Sequence, residues 1–183
     1  VLVAIGVGED GYRDILGIAE GCKEDKAGWS GFLAYLKKRG LQNPELIISD
    51  KCLGLIESLA EYYPEAQWQR CMVHFYRNVF SVVPKGKVKQ VAAMLKAIHA
   101  QEDRQAAQEK AEAVVAKLKT LKLPAAAELV REGIGETLTY YAFPDKHHRQ
   151  IRTNPPRADW NGSCLRSADA AAWWAASPTA RAP

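Results

Sequence analysis

The sequence predicts an α/β unit followed by an all-helical segment. Three observations predict it. Short apolar runs alternate with helical periodicity up to about residue 83, no strand-like run appears between Pro84 and Arg152, and 48% of the 183 residues are apolar, enough for a packed core. The same figure excludes wholesale disorder. Val1–Val7 is the longest apolar run, far short of the roughly 20 residues that span a bilayer, and no basic segment precedes it. A membrane partner and a signal peptide are therefore not expected. Cys22, Cys52, Cys71 and Cys164 stand far apart with no CxxC pair, which fits a reduced, cytoplasmic protein.

Val1–Val7 reads as a first strand, closed by the turn signal Gly8-Glu9-Asp10-Gly11, and Tyr12–Ala19 reads as its antiparallel hairpin partner. The chain opens directly in a strand without methionine, so a fragment lacking its first elements is expected. Trp29, Phe32, Leu33 and Leu36 fall at i, i+3, i+4 and i+7, which predicts an amphipathic helix over 26–39 that ends at Gly40. Glu20, Glu24 and Asp25 read as charges favoured at that helix's N-terminus. Glu45–Ser49 is a third strand running into Asp50, residues 53–63 a helix that stops before Pro64, 66–70 a fourth strand, and 71–81 a helix.

Beyond Pro84, Val88, Val91, Ala92, Leu95 and Ile98 share one helical face. Ala107, Ala111, Val114, Val115, Leu118 and Leu121 share another, in a longer helix ending before Pro124. A third helix is expected over 125–141, weakened by Gly133 and Gly135. The alanine-rich tail from Pro155, with Trp160, Trp173 and Trp174, keeps no period and is assigned no structure. Charge follows the same division: −2 over residues 1–83, +5 over 84–152 and +1 beyond. The basic excess centres on Arg77, Lys85, Lys87 and Lys89 and on Lys146, His147, His148, Arg149 and Arg152. Such clusters neutralise phosphates, or else simply solvate a helix face.

Asp50 is the sharpest candidate. It stands just past the carboxyl end of an apolar strand, where open α/β sheets place ligands, and a carboxylate there suits a hard cation such as Mg²⁺. The competing reading is an Asp capping the next helix. Cys71 and His74 share a helical face, which admits half of a zinc site, half of a nucleophilic pair, or a buried structural pair. No glycine-rich phosphate loop is present.

The runs Val1–Val7, Gly17–Gly21 with Lys23–Asp25, Ile48–Leu55, Gln69–Asn78, Ala93–Ile98, Thr137–Tyr141 and Ile151–Asn154 together resemble the mutator-type DDE transposases of bacterial insertion sequences. The resemblance covers nearly all of residues 1–154 in one register. It implies a ribonuclease H-like catalytic core whose first strand is missing over 1–83, a helical insertion over 84–150, and a divergent tail over 151–183, frame-shifted and poorly ordered. It also implies two Asp and one Glu that hold two Mg²⁺ or Mn²⁺ ions for attack on phosphodiesters. Asp50 would be the second of these acids, both catalytic and metal-binding, and Cys71 and His74 would support the site. Arg77, Lys85, Lys87, Lys89, Arg149 and Arg152 would contact DNA, the partner being terminal repeats and target DNA, with a homo-oligomer expected of the intact enzyme.

Two departures follow. The first Asp belongs before Val1, and Thr153-Asn-Pro155 is not followed by the Glu-bearing, arginine-rich helix that the resemblance implies. A reading-frame slip after Pro155 accounts for the second, since codons for Pro156-Arg157-Ala158 shifted by one base permit Leu-Glu-Arg. The expectation is thus a truncated transposase core, inactive alone. The rivals are a non-catalytic DNA-binding or oligomerisation fragment that interferes with intact transposase, and an unrelated α/β domain in which Asp50 is only a helix cap.

Overall fold

The computed structural model describes residues 1–7, 13–20 and 25–153, together with the backbone of 170–174. It divides into two compact units, residues 1–69 with 153–183, and residues 70–152.

The first unit is built on a sheet. Strands β1 (Leu2–Val7) and β2 (Arg13–Ala19) pair antiparallel, from Leu2 opposite Ala19 to Val7 opposite Arg13, with a bulge between Ala4 and Ile5. The expected hairpin is therefore present, although its turn residues lie outside the described ones. Helix α1 (Lys26–Lys38) starts at Asp25, whose carboxylate accepts the Gly28 N–H at 2.8 Å, and stops where Gly40 takes φ +99°. Its predicted stripe, Trp29, Phe32, Leu33 and Leu36, is buried. It meets Leu2 and Ala4 of β1, Ile47 of β3 (Leu46–Ser49), and Leu55 and Leu59 of α2 (Leu53–Tyr62) in one core. Each large side chain buried there contributes about 1.5–3 kcal/mol.

Helices α1 and α2 approach closely because small polar residues line their crossing. A Cβ on Gly54 would sit 2.7 Å from the Lys26 nitrogen and 2.8 Å from the Asp25 carbonyl carbon. One turn on, Ser58 Oγ donates to the Gly54 carbonyl at 2.7 Å and lies 3.0 Å from Ser30 Oγ. The start of α2 is thereby fixed against the start of α1, and with it the loop that carries Asp50.

Strand β4 (Gln67–Arg70) lies beside β3, and the Gln67 N–H donates to the Glu45 carbonyl at 2.9 Å. The sheet order is β2-β1-β5-β3-β4. Strand β5 (Ala170–Trp174) belongs to the tail that was assigned no structure, yet it fills the central lane, parallel to β1 and antiparallel to β3. Ladder pairing uses backbone N–H and C=O groups, which alanine supplies without any side-chain alternation to read. The proposed frame slip and the rest of the tail fall on residues outside the described ones.

In the second unit every regular element after β4 is helical: α3 (Met72–Ser81), α4 (Val88–Ile98), α5 (Arg104–Thr120), α6 (Pro124–Gly133) and α7 (Asp145–Ile151), with short 3₁₀ turns at 85–87, 135–137 and 139–142. The unit begins at Arg70 rather than near residue 84, because α3 packs against α4 and α6. The helix expected over 125–141 ends at Gly133. There a Cβ would lie 2.9 Å from the Phe75 ring and 3.0 Å from Arg70 Nη1, so the glycine admits α3 at the point where α6 stops. Helix α7 was not expected: Asp145-Lys-His-His-Arg-Gln-Ile151 has no apolar stripe, and it buries only His148 and Ile151.

Candidate functional site

Asp50 follows directly on β3, whose four residues are all buried, and is itself half-buried. Its carboxylate Oδ1 accepts the Lys51 N–H at 2.8 Å, and its carbonyl accepts the Cys52 N–H at 2.9 Å. Ser49 Oγ donates to the same carbonyl at 2.8 Å and in turn accepts the Trp68 indole N–H at 2.9 Å. Across the loop, the Trp29 indole donates to Cys52 Sγ at 3.1 Å. Two indoles, one on β4 and one on α1, therefore pin the four-residue segment that displays the carboxylate.

The helix-cap alternative does not describe this arrangement. The N-cap of α2 is Cys52, which makes no side-chain cap bond, and Asp50 lies two residues earlier. Oδ2 of Asp50 has no hydrogen-bond partner among the described residues. A Mg²⁺-like cation takes one or two protein carboxylates and fills its remaining positions with water or substrate oxygens, so Asp50 fits one ligand position. Among the described residues no three His, Cys, Asp or Glu side chains come together to hold a metal. Asp50 is therefore not joined by further ligands among them, and a zinc site around Cys71 finds no completed ligand set there either.

Cys71 and His74 belong to the helical unit. Cys71 is buried and stands at the N-cap of α3, with its carbonyl accepting the Phe75 N–H at 3.0 Å, while His74 sits half-buried in the first turn. Nearby, Arg70 is buried over the Phe75 ring, 5.2 Å from its centroid, and lies 3.4 Å from the Glu136 carboxylate.

The expected DNA contacts separate into two kinds. Arg77, Lys85, Lys89 and Arg149 are exposed. Lys87 is half-buried, its ammonium donating to the Leu121 carbonyl at 2.9 Å. Arg152 is placed inward. Its guanidinium lies 4.7 Å from the Tyr140 ring centroid, its Nε is buried without a hydrogen-bond partner among the described residues, and its carbonyl accepts the Met72 N–H at 3.3 Å.

Behind Arg152 lies a buried polar chain that the sequence reading did not identify. Thr137 Oγ1 spends its one proton on the Ile134 carbonyl at 2.7 Å. It therefore accepts from His99 Nε2 at 2.9 Å, leaving Nδ1 to accept the Tyr76 hydroxyl at 2.8 Å. Burial lowers the His99 pKa to about 4, with the nearby Arg152 charge adding to it and the Leu95 carbonyl opposing it. Burial raises Tyr76 and Tyr140, and it pushes Tyr63 up to about 12. A shallow pocket lined by Lys37, Asn43, Pro44, Tyr62 and Tyr63 lies at the opposite end of β3 from Asp50.

Sequence reasoning singled out Asp50 as a candidate but not Ser49, Trp68 and Trp29, which hold its segment. A usable signal was present: polar Ser49 closing an otherwise apolar strand, and an indole in the next strand.

Compared with known proteins, the chain matches the family described as "Transposase, Mutator family" over residues 1–174, and it belongs to that family. It is 35% identical over 153 residues to the transposase for insertion sequence element ISRM5 of Rhizobium meliloti (strain 1021), covering 84% of this chain and 38% of that protein. It is 37% identical over 168 residues to the transposase for insertion sequence element IS1081 of Mycobacterium tuberculosis, covering 92% and 40%. To the transposase for insertion sequence element IST2 of Acidithiobacillus ferrooxidans it is 38% identical over 154 residues, covering 84% and 52%. The chain thus spans between about two fifths and half of the length of these relatives. No helix among the described residues is long and apolar enough to cross a membrane.

Proposed function

We propose that the chain forms part of a ribonuclease H-like transposase core that cleaves DNA at insertion-sequence ends and joins the freed end to target DNA. The support is its family, together with the antiparallel β1–β2 pair, the β3–α2–β4 passage beside it, and one carboxylate displayed at the carboxyl end of β3. The single observation that carries the reading is Asp50 held rigidly between two indole-anchored neighbours with one carboxylate oxygen unengaged among the described residues.

In this reading Asp50 occupies one ligand position of a Mg²⁺ or Mn²⁺ ion. Such an ion neutralises charge on phosphodiester oxygens and activates a water or 3′-hydroxyl nucleophile. The protein's own part is positional. Trp68 and Ser49 fix the carbonyl of residue 50, the Lys51 N–H fixes the carboxylate rotamer, and the α1–α2 contact at Gly54 fixes the segment that follows. Cys71 and His74 are assigned a supporting role at the start of α3, and the exposed basic residues a role in contacting DNA. One carboxylate cannot position two metals, so in this reading Asp50 acts with carboxylates outside the described residues. In the intact enzyme we expect a homo-oligomer.

The test is Mn²⁺ titration of the full chain, followed by electron paramagnetic resonance. Asp50→Asn is expected to weaken binding at least tenfold, and unchanged affinity would overturn the assignment. A second reading is a DNA-binding fragment that interferes with intact transposase, favoured by the +5 charge of residues 84–152. It predicts steeply salt-dependent DNA binding with no Asp50-dependent metal affinity.

A further inference from the structure

We propose that the lysines gathered around the carboxyl end of α5 form a docking surface for the phosphate backbone of duplex DNA. This rests on the reading of DNA as substrate, and it adds a site distinct from the Asp50 loop.

Two stretches of sequence without any acidic residue, 84–101 and 113–127, carry Lys85, Lys87, Lys89 and, farther along α4, Lys96 in the one and Lys117, Lys119 and Lys122 in the other. The fold brings them together. Helix α4 packs on α5, and Lys87 Nζ donates to the Leu121 carbonyl at 2.9 Å, placing the 85–87 turn against the end of α5. Lys85, Lys89, Lys117, Lys119 and Lys122 are all exposed. None of the six is in an ion pair among the described residues, whereas Lys26 pairs with Glu61, Arg70 with Glu136, and Arg131 with Glu128. Glu128, to whose lowered pKa Lys119 makes a small contribution, is engaged by Arg131, whose hydrogen bond is the main cause of that lowering.

Ordinary helix chemistry accounts for part of this. Lys117 and Lys119 complement the α5 dipole, and Lys87 satisfies a terminal carbonyl. Lys122 shares the dipole account for its charge but not for its backbone. It stands just past the C-cap at φ +58°, in the left-handed region that glycine occupies freely, while the Leu123 N–H closes the helix onto the Leu118 carbonyl at 3.0 Å. A lysine here carries a backbone cost and adds a sixth like charge within about a Debye length of its neighbours. A polyanion lying across the end of α5 offsets both.

The test is binding of the full chain to a 30-base-pair duplex across a salt series. Replacing Lys117, Lys119 and Lys122 with Gln is expected to reduce the slope of log K against log salt by about 2–3, at about 0.9 per phosphate contact, and to weaken binding more than tenfold at 0.1 M salt. The charge-matched control, Gln at Lys38, Lys96 and Lys110, is expected to keep the wild-type slope. Lys122→Gly separates function from folding: it should raise Tm while lowering the slope by about 1. Equal losses in control and patch variants, or a patch variant with the wild-type slope, overturn this site and leave the DNA reading standing. A wild-type chain that does not bind duplex overturns both.

Discussion

Trp68 donates its indole N–H to Ser49 Oγ at 2.9 Å, and through that hydroxyl the strand beside β3 holds the carbonyl of Asp50. Ser49 is 4% exposed, so its hydroxyl has little recourse to water if the indole is removed. Trp68→Phe keeps an aromatic ring but removes the donor together with the second ring of the indole. We expect a stability loss of about 1 kcal/mol in urea denaturation and a Mn²⁺ affinity reduced roughly tenfold, as for other groups that orient a ligand. A variant that loses stability but keeps its Mn²⁺ affinity would confine Trp68 to the fold.

Gly54 makes a second link between packing and site. The atoms a Cβ would strike belong to the backbone of residues 25 and 26, which cannot rotate aside as a side chain can. Alanine's better helix propensity is worth about 1 kcal/mol, whereas overpacking costs about 1–3 kcal/mol, and the second effect should win here. Gly54→Ala is therefore expected to lower stability by up to about 2 kcal/mol. A Tm at or above wild type would show that α1 and α2 separate without strain.

Helices α1 to α5 and strands β1 to β3 were legible because each has an apolar run or period of its own, whereas β4, Gln67-Trp-Gln-Arg70, has none and buries Gln69 and Arg70. Asp50 was legible for the same reason, as the residue at which the third apolar run stops. Its supports were not: Ser49 and Trp68 meet only because β3 and β4 lie side by side, a pairing that no local period encodes. Strand β5 was missed because its alanines carry no alternation, and α7 because its charged residues have no stripe. The overlong helix expected after Ala125 shows the converse failure. Periodicity continued past Gly133, but the helix stops at that glycine, where Phe75 comes too close for a Cβ.

His99 makes stability depend on pH in a definite direction. In the fold it is neutral, donating from Nε2 to Thr137 and accepting at Nδ1 from Tyr76. Its folded pKa, about 4, lies below the ordinary 6.5, so between these values the unfolded chain binds the extra proton. The contribution is complete above pH 6.5 and is lost as pH falls toward 4, with an upper bound of about 3 kcal/mol. Urea denaturation at pH 7.5 and pH 4.5 should show this loss in wild type and a smaller one in His99→Gln. Equal losses in the two proteins would place the acid sensitivity elsewhere.

Arg152 couples that buried chain to the question of DNA contact. It was expected to meet phosphate, yet its guanidinium is stacked over Tyr140 and its positive charge lies close enough to lower His99 and to oppose the raised Tyr76 and Tyr140. A cation over a partly desolvated ring is worth about 1–2 kcal/mol, and truncation also strips the packing of the aliphatic stem. Arg152→Gln should therefore cost about 1–2 kcal/mol at pH 7.5. By removing a cation beside His99 it should also raise the low-pH end of the acid-loss window and shrink the total loss, because the folded pKa then moves toward the unfolded 6.5. The salt dependence of DNA binding should remain at the wild-type slope. Arg149, exposed on α7, is expected to behave in the opposite way: Arg149→Gln leaves stability within about 0.5 kcal/mol and lowers the slope by about 1. If Arg152→Gln instead lowers the slope by about 1 with stability and the His99 window unchanged, the guanidinium leaves Tyr140 to bind phosphate, and its place in the buried chain is secondary.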